Sequence, residues 1–188
     1  MKIACVAWGS LLWTLKGFPL AGDWRGDGPV LPLEFARHSD GDIVSLVVTE
    51  HGAEVATFWA PLALDDLNAA REALREREDI RAHVREWVGS VPRPAGVDYP
   101  YAEQIERWMN RHRLDAVVWT ALPPKSHDRN GRMPSADEAI DYLHGLDGAD
   151  CEHAESYIRY TPERIRTPFR ERIERELGWC ARIPRPRD

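Results

Sequence analysis

The sequence predicts an α+β domain, and three observations carry that expectation. Residues 3 to 60 hold runs of β-branched and aromatic residues separated by short turns, residues 65 to 112 show apolar spacing of helical period, and helix-capping signals recur in the last third. With 188 residues, of which 43% are hydrophobic, the chain is long enough for one well-buried core. A single domain over residues 1–188 is expected, with residues 159–188 as an Arg-rich helical C-terminal extension.

Charge and cysteine usage narrow the classes. A formal charge of −6 argues against a nucleic-acid binder, which normally carries a basic footprint. The basic residues are 22 Arg and 3 Lys, and nine of the Arg lie from Tyr157 onward against five acids. Such a stretch is either a phosphate-binding face or a solvated one. Cys5, Cys151 and Cys180 are odd in number and lack metal-ligand spacing, and the N-terminus shows no signal-peptide pattern. No apolar run approaches the ~20 residues of a membrane span. The expectation is a soluble, cytoplasmic protein with no membrane or nucleic-acid partner, its oligomeric state open.

Taken in order, Lys2 to Trp8 is β-compatible without clean alternation, the pattern of a strand buried on both faces and central to its sheet. The apolar run IACVAWGSLLW breaks at Gly9-Ser10, a turn whose N–H groups little bulk would shield from a bound anion. Thr14 to Pro32, rich in Gly and Pro, reads as a long loop anchored by Asp23, Trp24 and Arg25. Leu33–Arg37, Asp42–Thr49 and Glu54–Ala60 are strand runs joined by SDG and EHGA turns, which favours an antiparallel meander. Asp65 is the expected N-cap of a helix through LNAAREALRERE, continued at helical spacing by Ile80, Val84, Trp87 and Val88 as far as Gly89. Tyr101–His112 is a second helix with Ile105, Trp108 and Met109 inward, and Asp115–Leu122 a buried strand followed by the loop PPKSHDRNGR. Ser135 and Glu138 form a capping box, a further helix covers Asp150–Tyr160, and Thr167-Pro168 opens a last one that Gly178 closes.

One carboxylate stands out. At about 100° per residue from Leu67, Ala70 falls near 300°, Leu74 near 340° and Glu78 near 20°, whereas Glu72 and Glu76 point away. A glutamate on that apolar stripe is paired, protonated, lining a cavity, or simply at the helix end. Other chemistry finds less support. Ser10 is not set in a GxSxG elbow, no His pair sits at metal-binding spacing, and there is no Walker loop or GxGxxG, so no metal or organic cofactor is expected.

These residues also carry a resemblance. WGSLLW at 8 to 13 resembles the YGSLLW motif of ChaC-type, glutathione-specific γ-glutamylcyclotransferases, with Trp8 in place of the motif tyrosine. In the same order, FARHS ending at Ser39, VATFWAPL, LREREDI at 74 to 80, the Pro134-Ser135 helix start and the Tyr157-Ile158 pair are similar to that superfamily's segments. The resemblance implies a small mixed, largely antiparallel β-barrel with flanking helices and no cofactor. It assigns the catalytic acid/base to Glu78 and a substrate-binding role to Trp8, Gly9, Ser10 and Leu11, with Arg37 and Ser39 as weaker pocket candidates. The implied reaction closes the γ-glutamyl group of an amine or peptide to 5-oxoproline, with a small-molecule γ-glutamyl substrate as partner. The competing expectation is a non-catalytic module that binds a γ-glutamyl or carboxylate ligand on the same fold.

Overall fold

The computed structural model describes residues 1–39 and 43–182. Along the chain these form β1 (Ile3–Ala7), β2 (Val30–Ser39), β3 (Ile43–Val48), β4 (Ala53–Ala56), β5 (Phe58–Pro61), α1 (Leu67–Arg77), β6 (Val88–Val91), α2 (Ala102–Arg111), β7 (Ala116–Thr120), β8 (Lys125–Ser126), β9 (Arg129–Asn130), α3 (Ala136–His144), α4 (Gly148–Tyr160) and α5 (Pro168–Leu177). The architecture is α+β. Its Cα framework divides into two compact units, one of residues 1–7, 14–31 and 56–122, the other of residues 8–13, 32–55 and 123 onward. Among the described residues no helix is long and apolar enough to cross a membrane.

The first unit is built on a four-stranded mixed sheet of order β5-β1-β7-β6. β1 lies antiparallel to β5 and parallel to β7, and all five of its residues are buried. That double-sided burial is why its sequence shows no alternation. α1 and α2 pack on β6 and β7. The N-cap of α1 is Asp66, whose carboxylate accepts from Ala69 N at 2.8 Å, one residue later than expected.

The continuation of α1 to Gly89 is corrected. The helix stops at Arg77, Glu78 is its C-cap, and Asp79 turns the chain away with φ +53°. Val88–Val91 instead pairs antiparallel with β7, Gly89 opposite Trp119. A Cβ at Gly89 would lie 2.2 Å from the Trp119 ring, so this crossing needs glycine. The Thr14 to Pro32 stretch has no regular element before β2, as expected, and bridges to Leu62 and Trp59 pin it. Of the expected anchors, Arg25 holds its guanidinium 4.6 Å from the centre of the Trp59 ring and Trp24 is half-buried with its indole nitrogen inside, while Asp23 is exposed. Asp27 does the rest, its carboxylate taking Trp59 Nε1 at 2.7 Å and its carbonyl Trp108 Nε1 at 2.8 Å.

The second unit has a sheet of order β3-β2-β8-β9, with β4 also on β2. The meander is therefore corrected. β3 is antiparallel to β2 as expected, but β4 pairs with β2, and the Phe58–Pro61 end of the third run breaks off to join β1 in the other sheet. The barrel is corrected as well, because the strands are shared between two sheets and neither closes among the described residues. Asp40 and Gly41 of the expected SDG turn, the first residue of the Asp42–Thr49 run and the last six residues of the 159–188 segment lie outside the described residues. Within PPKSHDRNGR, β8 and β9 form a short antiparallel hairpin, with Lys125 beside Arg37 of β2.

Helix boundaries in this unit follow the local signals. Ser135 Oγ accepts from Glu138 N at 3.1 Å while the Glu138 carboxylate accepts from Ser135 N at 2.8 Å. Thr167 caps α5 through Arg170 N at 3.2 Å, Pro168 is its first residue, and Gly178 ends it with φ +71°. α4 packs on β3, and α3 on β3 and α5. In the described part of the Arg-rich stretch one arginine is committed to the interior and others form ion pairs nearer the surface. Arg170 is fully buried, bound to Glu174 at 2.9 Å and to the carbonyls of Thr161, Pro162 and Ile165, and Arg159, Arg166 and Arg172 each pair with an acid.

Candidate functional site

Glu78 belongs to the first unit. Its position follows from the end of α1, where the stripe of Ala70 and Leu74 is buried against the sheet and the C-cap carries the next side chain inward. The side chain is 17% exposed, and its Oε1 accepts from Arg77 Nη1 at 2.6 Å. Arg77 is itself buried, its other guanidinium nitrogen donating to Thr14 O at 2.5 Å. Burial raises the pKa of Glu78 above the ordinary glutamate value, and the charge and hydrogen bond of Arg77 oppose that rise. The same carboxylate acts on Cys5 of β1, whose thiol is held protonated first by burial and then by the nearby negative charge of Glu78. Cys5 is therefore no thiolate nucleophile. A carboxylate so placed can take up and release a proton nearer neutrality than a surface glutamate can.

Trp8, Gly9, Ser10, Leu11, Arg37 and Ser39 all belong to the second unit. Ser10–Leu12 is a single tight helical turn, in which the Gly9 and Ser10 carbonyls accept from Leu12 N at 3.0 Å and Trp13 N at 3.2 Å. Trp8 is buried with its indole Nε1 donating to Leu46 O at 3.1 Å, and Leu11 is buried beside the turn. Arg37 donates to Pro123 O at 2.8 Å and Asn130 Oδ1 at 3.0 Å, which ties the β8–β9 hairpin to β2. Ser39 Oγ lies 2.6 Å from Ser45 Oγ across the β2–β3 pair. These last two side chains thus make cross-strand and hairpin contacts.

The residue that sequence reasoning left out of the site is Tyr157 of α4. Its hydroxyl accepts from Leu46 N at 3.2 Å, and a Cβ on Gly9 would lie 2.6 Å from that oxygen. Glycine at position 9 is thus required by the close approach of the phenol, since its φ of −120° is open to other residues. Trp13 and Phe35 meet the Tyr157 ring edge to face, with centroids 5.5 and 6.4 Å away. The available signal was the Tyr157-Ile158 pair already noted, but nothing in the sequence says which strand or loop a helical tyrosine meets. Comparison with known protein families, with curated proteins and with solved structures finds no match.

Proposed function

We propose that this chain is a γ-glutamylcyclotransferase-type enzyme on a γ-glutamylcyclotransferase-like fold. The observation that carries the reading is the largely buried Glu78, with a raised pKa, at the position where the motif resemblance asks for an acid/base. In this chemistry the α-amine of a γ-glutamyl group attacks its own δ-carbonyl carbon. The new N–C bond closes a five-membered lactam, and the bond from the δ-carbon to the departing nitrogen breaks. The attacking nitrogen passes from ammonium to lactam N–H and so gives up two protons; Glu78 takes each in turn and returns it to the leaving nitrogen, which departs as a protonated amine, and holding the folded conformer supplies the rest of the acceleration. The turn at Gly9, Ser10 and Leu11 would supply N–H groups to the substrate carboxylate or the developing oxyanion. Neither task calls for a metal or an organic cofactor.

A second reading, a binding module without turnover, is favoured by one observation. The motif tyrosine is Trp8 here, and its only polar group is turned to Leu46 O. Incubation with a panel of γ-glutamyl amines and peptides, with detection of 5-oxoproline, separates the two. The enzyme reading expects release from at least one compound, lost in Glu78→Gln. Saturable binding of a panel member without release supports the second reading, and release that survives Glu78→Gln overturns the mechanism.

A further inference from the structure

A cavity of about 410 Å³ in the second unit is lined by Ser126, His127, Arg129, Arg132 and Glu138. It contains none of the residues to which the proposed reaction is assigned. Its wall is built from the β8–β9 hairpin and the start of α3. The buried Ser126 hydroxyl accepts from Arg132 Nη1, whose other nitrogen meets Glu138 Oε1 at 2.6 Å, so Arg132 and Glu138 neutralise and hold one another. Arg129 is exposed, and its guanidinium makes no ion pair or side-chain hydrogen bond among the described residues.

Behind this wall lies His38 of β2, 4% exposed and stacked on Tyr142 with centroids 4.3 Å apart. Its ring meets that of the wall residue His127 at 5.7 Å, and its Nδ1 accepts the backbone N–H of His127 at 3.3 Å. Because Nδ1 is the acceptor, the neutral ring carries its proton on Nε2. That Nε2 is buried and has no hydrogen-bond partner among the described residues. A buried donor without an acceptor is rare in a folded protein and calls for a group that supplies one. Burial, followed by the charges of His127, Lys125 and Arg132, also holds the ring in this neutral, single-donor form, against the pull of Glu138.

We infer that this cavity binds the phosphate group of a small molecule. Arg129 is free to grip two phosphate oxygens as a planar fork, with His127 as a second polar contact on the wall. Among the described residues of the wall, Arg129 and Arg132 outnumber the one carboxylate, Glu138, which leaves a net positive charge for an anion. The volume exceeds that of a bare phosphate, so a phosphate monoester, with its organic part along the rest of the cavity, is a better fit than the free ion.

The test is an imidazole ¹⁵N NMR titration of the full-length protein with inorganic phosphate, a simple sugar phosphate and acetate. Saturable movement of the His38 and His127 signals with both phosphates, tighter for the ester, is expected. Arg129→Gln, a surface change that leaves the fold intact, should weaken the affinity about tenfold, the loss of a charge-assisted hydrogen bond. Tighter binding of free phosphate than of the ester would overturn the monoester assignment, and acetate binding as well as phosphate would overturn the phosphate class. Shifts that do not saturate, or an Arg129→Gln affinity equal to the wild type's, would overturn the site. Because Glu78 plays no part, these outcomes stand apart from any assay of 5-oxoproline release.

Discussion

The two units each bury a glutamate, and the two glutamates are held in opposite ways. Glu34 in the second unit is fully buried, with Thr167 Oγ1 at 2.5 Å, Phe35 N at 2.8 Å and Phe169 N at 3.3 Å all directed at its carboxylate. Two of those donors come from the start of α5, so the carboxylate fastens that helix to β2 and meets the positive end of the helix dipole. Glu78 in the first unit has Arg77 as its hydrogen-bonding side chain and keeps 17% of its side chain exposed. Burial raises the pKa of both. A carboxylate saturated with fixed donors serves as a fastener, whereas one held by a single charge and still reachable from solvent is suited to exchanging protons. The difference is set by the number of donors the surrounding backbone can supply, not by depth alone.

Exchanging each glutamate for glutamine is the sharpest way to break this contrast. Glu78→Gln is expected to lower 5-oxoproline release by roughly 10²- to 10⁴-fold with an unchanged unfolding midpoint, as measured by product assay and thermal denaturation. Glu34→Gln is expected to do the reverse, lowering stability by about 1–3 kcal/mol in urea unfolding while each folded molecule keeps its turnover. Equal effects of the two changes on stability would erase the distinction.

Gly9→Ala tests the contact that the second unit makes without either glutamate. The added methyl would lie 2.6 Å from the Tyr157 hydroxyl, and overpacking of this kind costs about 1–3 kcal/mol. Adding Tyr157→Phe leaves the nearest ring atom at 3.6 Å, so the double variant should recover part of the loss in a double-mutant cycle. Additive losses would show that the phenol oxygen is not the obstacle.

Two smaller effects are read from pH. Removing the Arg77 charge with Arg77→Gln takes away what opposes the burial of Glu78, so the acidic limb of kcat/KM should move to higher pH. No movement would detach Arg77 from the protonation of Glu78. For Glu34, the folded pKa lies above the unfolded one. Its contribution to stability is therefore complete below about pH 4.3, the ordinary glutamate value, and is lost as pH rises through the folded pKa. The stability gap between wild type and Glu34→Gln should accordingly narrow on going from acid to neutral pH, and a gap that widens would reverse the assignment.

Legibility in the sequence tracked the range of the interactions concerned. The cap at Ser135 and Glu138, the Thr167-Pro168 start and Gly178 end of α5, and the buried strand β1 were all readable, because each rests on hydrogen bonds within a few residues or on an unbroken apolar run. The stripe that singled out Glu78 was readable for the same reason, since α1 places Ala70 and Leu74 at known angles. What failed was the stretch from Ile80 to Val88, whose apolar spacing fits a helix but whose last residues open a strand on β7. Asp79 in the left-handed region breaks the period, and although aspartate tolerates that conformation better than most residues, nothing local obliges it to adopt it here. Likewise the EHGA turn was legible, but not that β4 would pair with β2 while Phe58–Pro61 went to β1.

The chain by itself thus determined where α3 and α5 begin, which strand is buried on both faces and which glutamate shares an apolar stripe, all matters of local hydrogen bonding and periodicity. Tertiary structure alone decided the division of strands between two sheets, the approach of Tyr157 to Gly9, the three donors on Glu34 and the Nε2 of His38 that no described residue matches. Those features depend on pairing and burial between residues tens of positions apart, and nothing in the local sequence encodes which distant partner will supply the hydrogen bond.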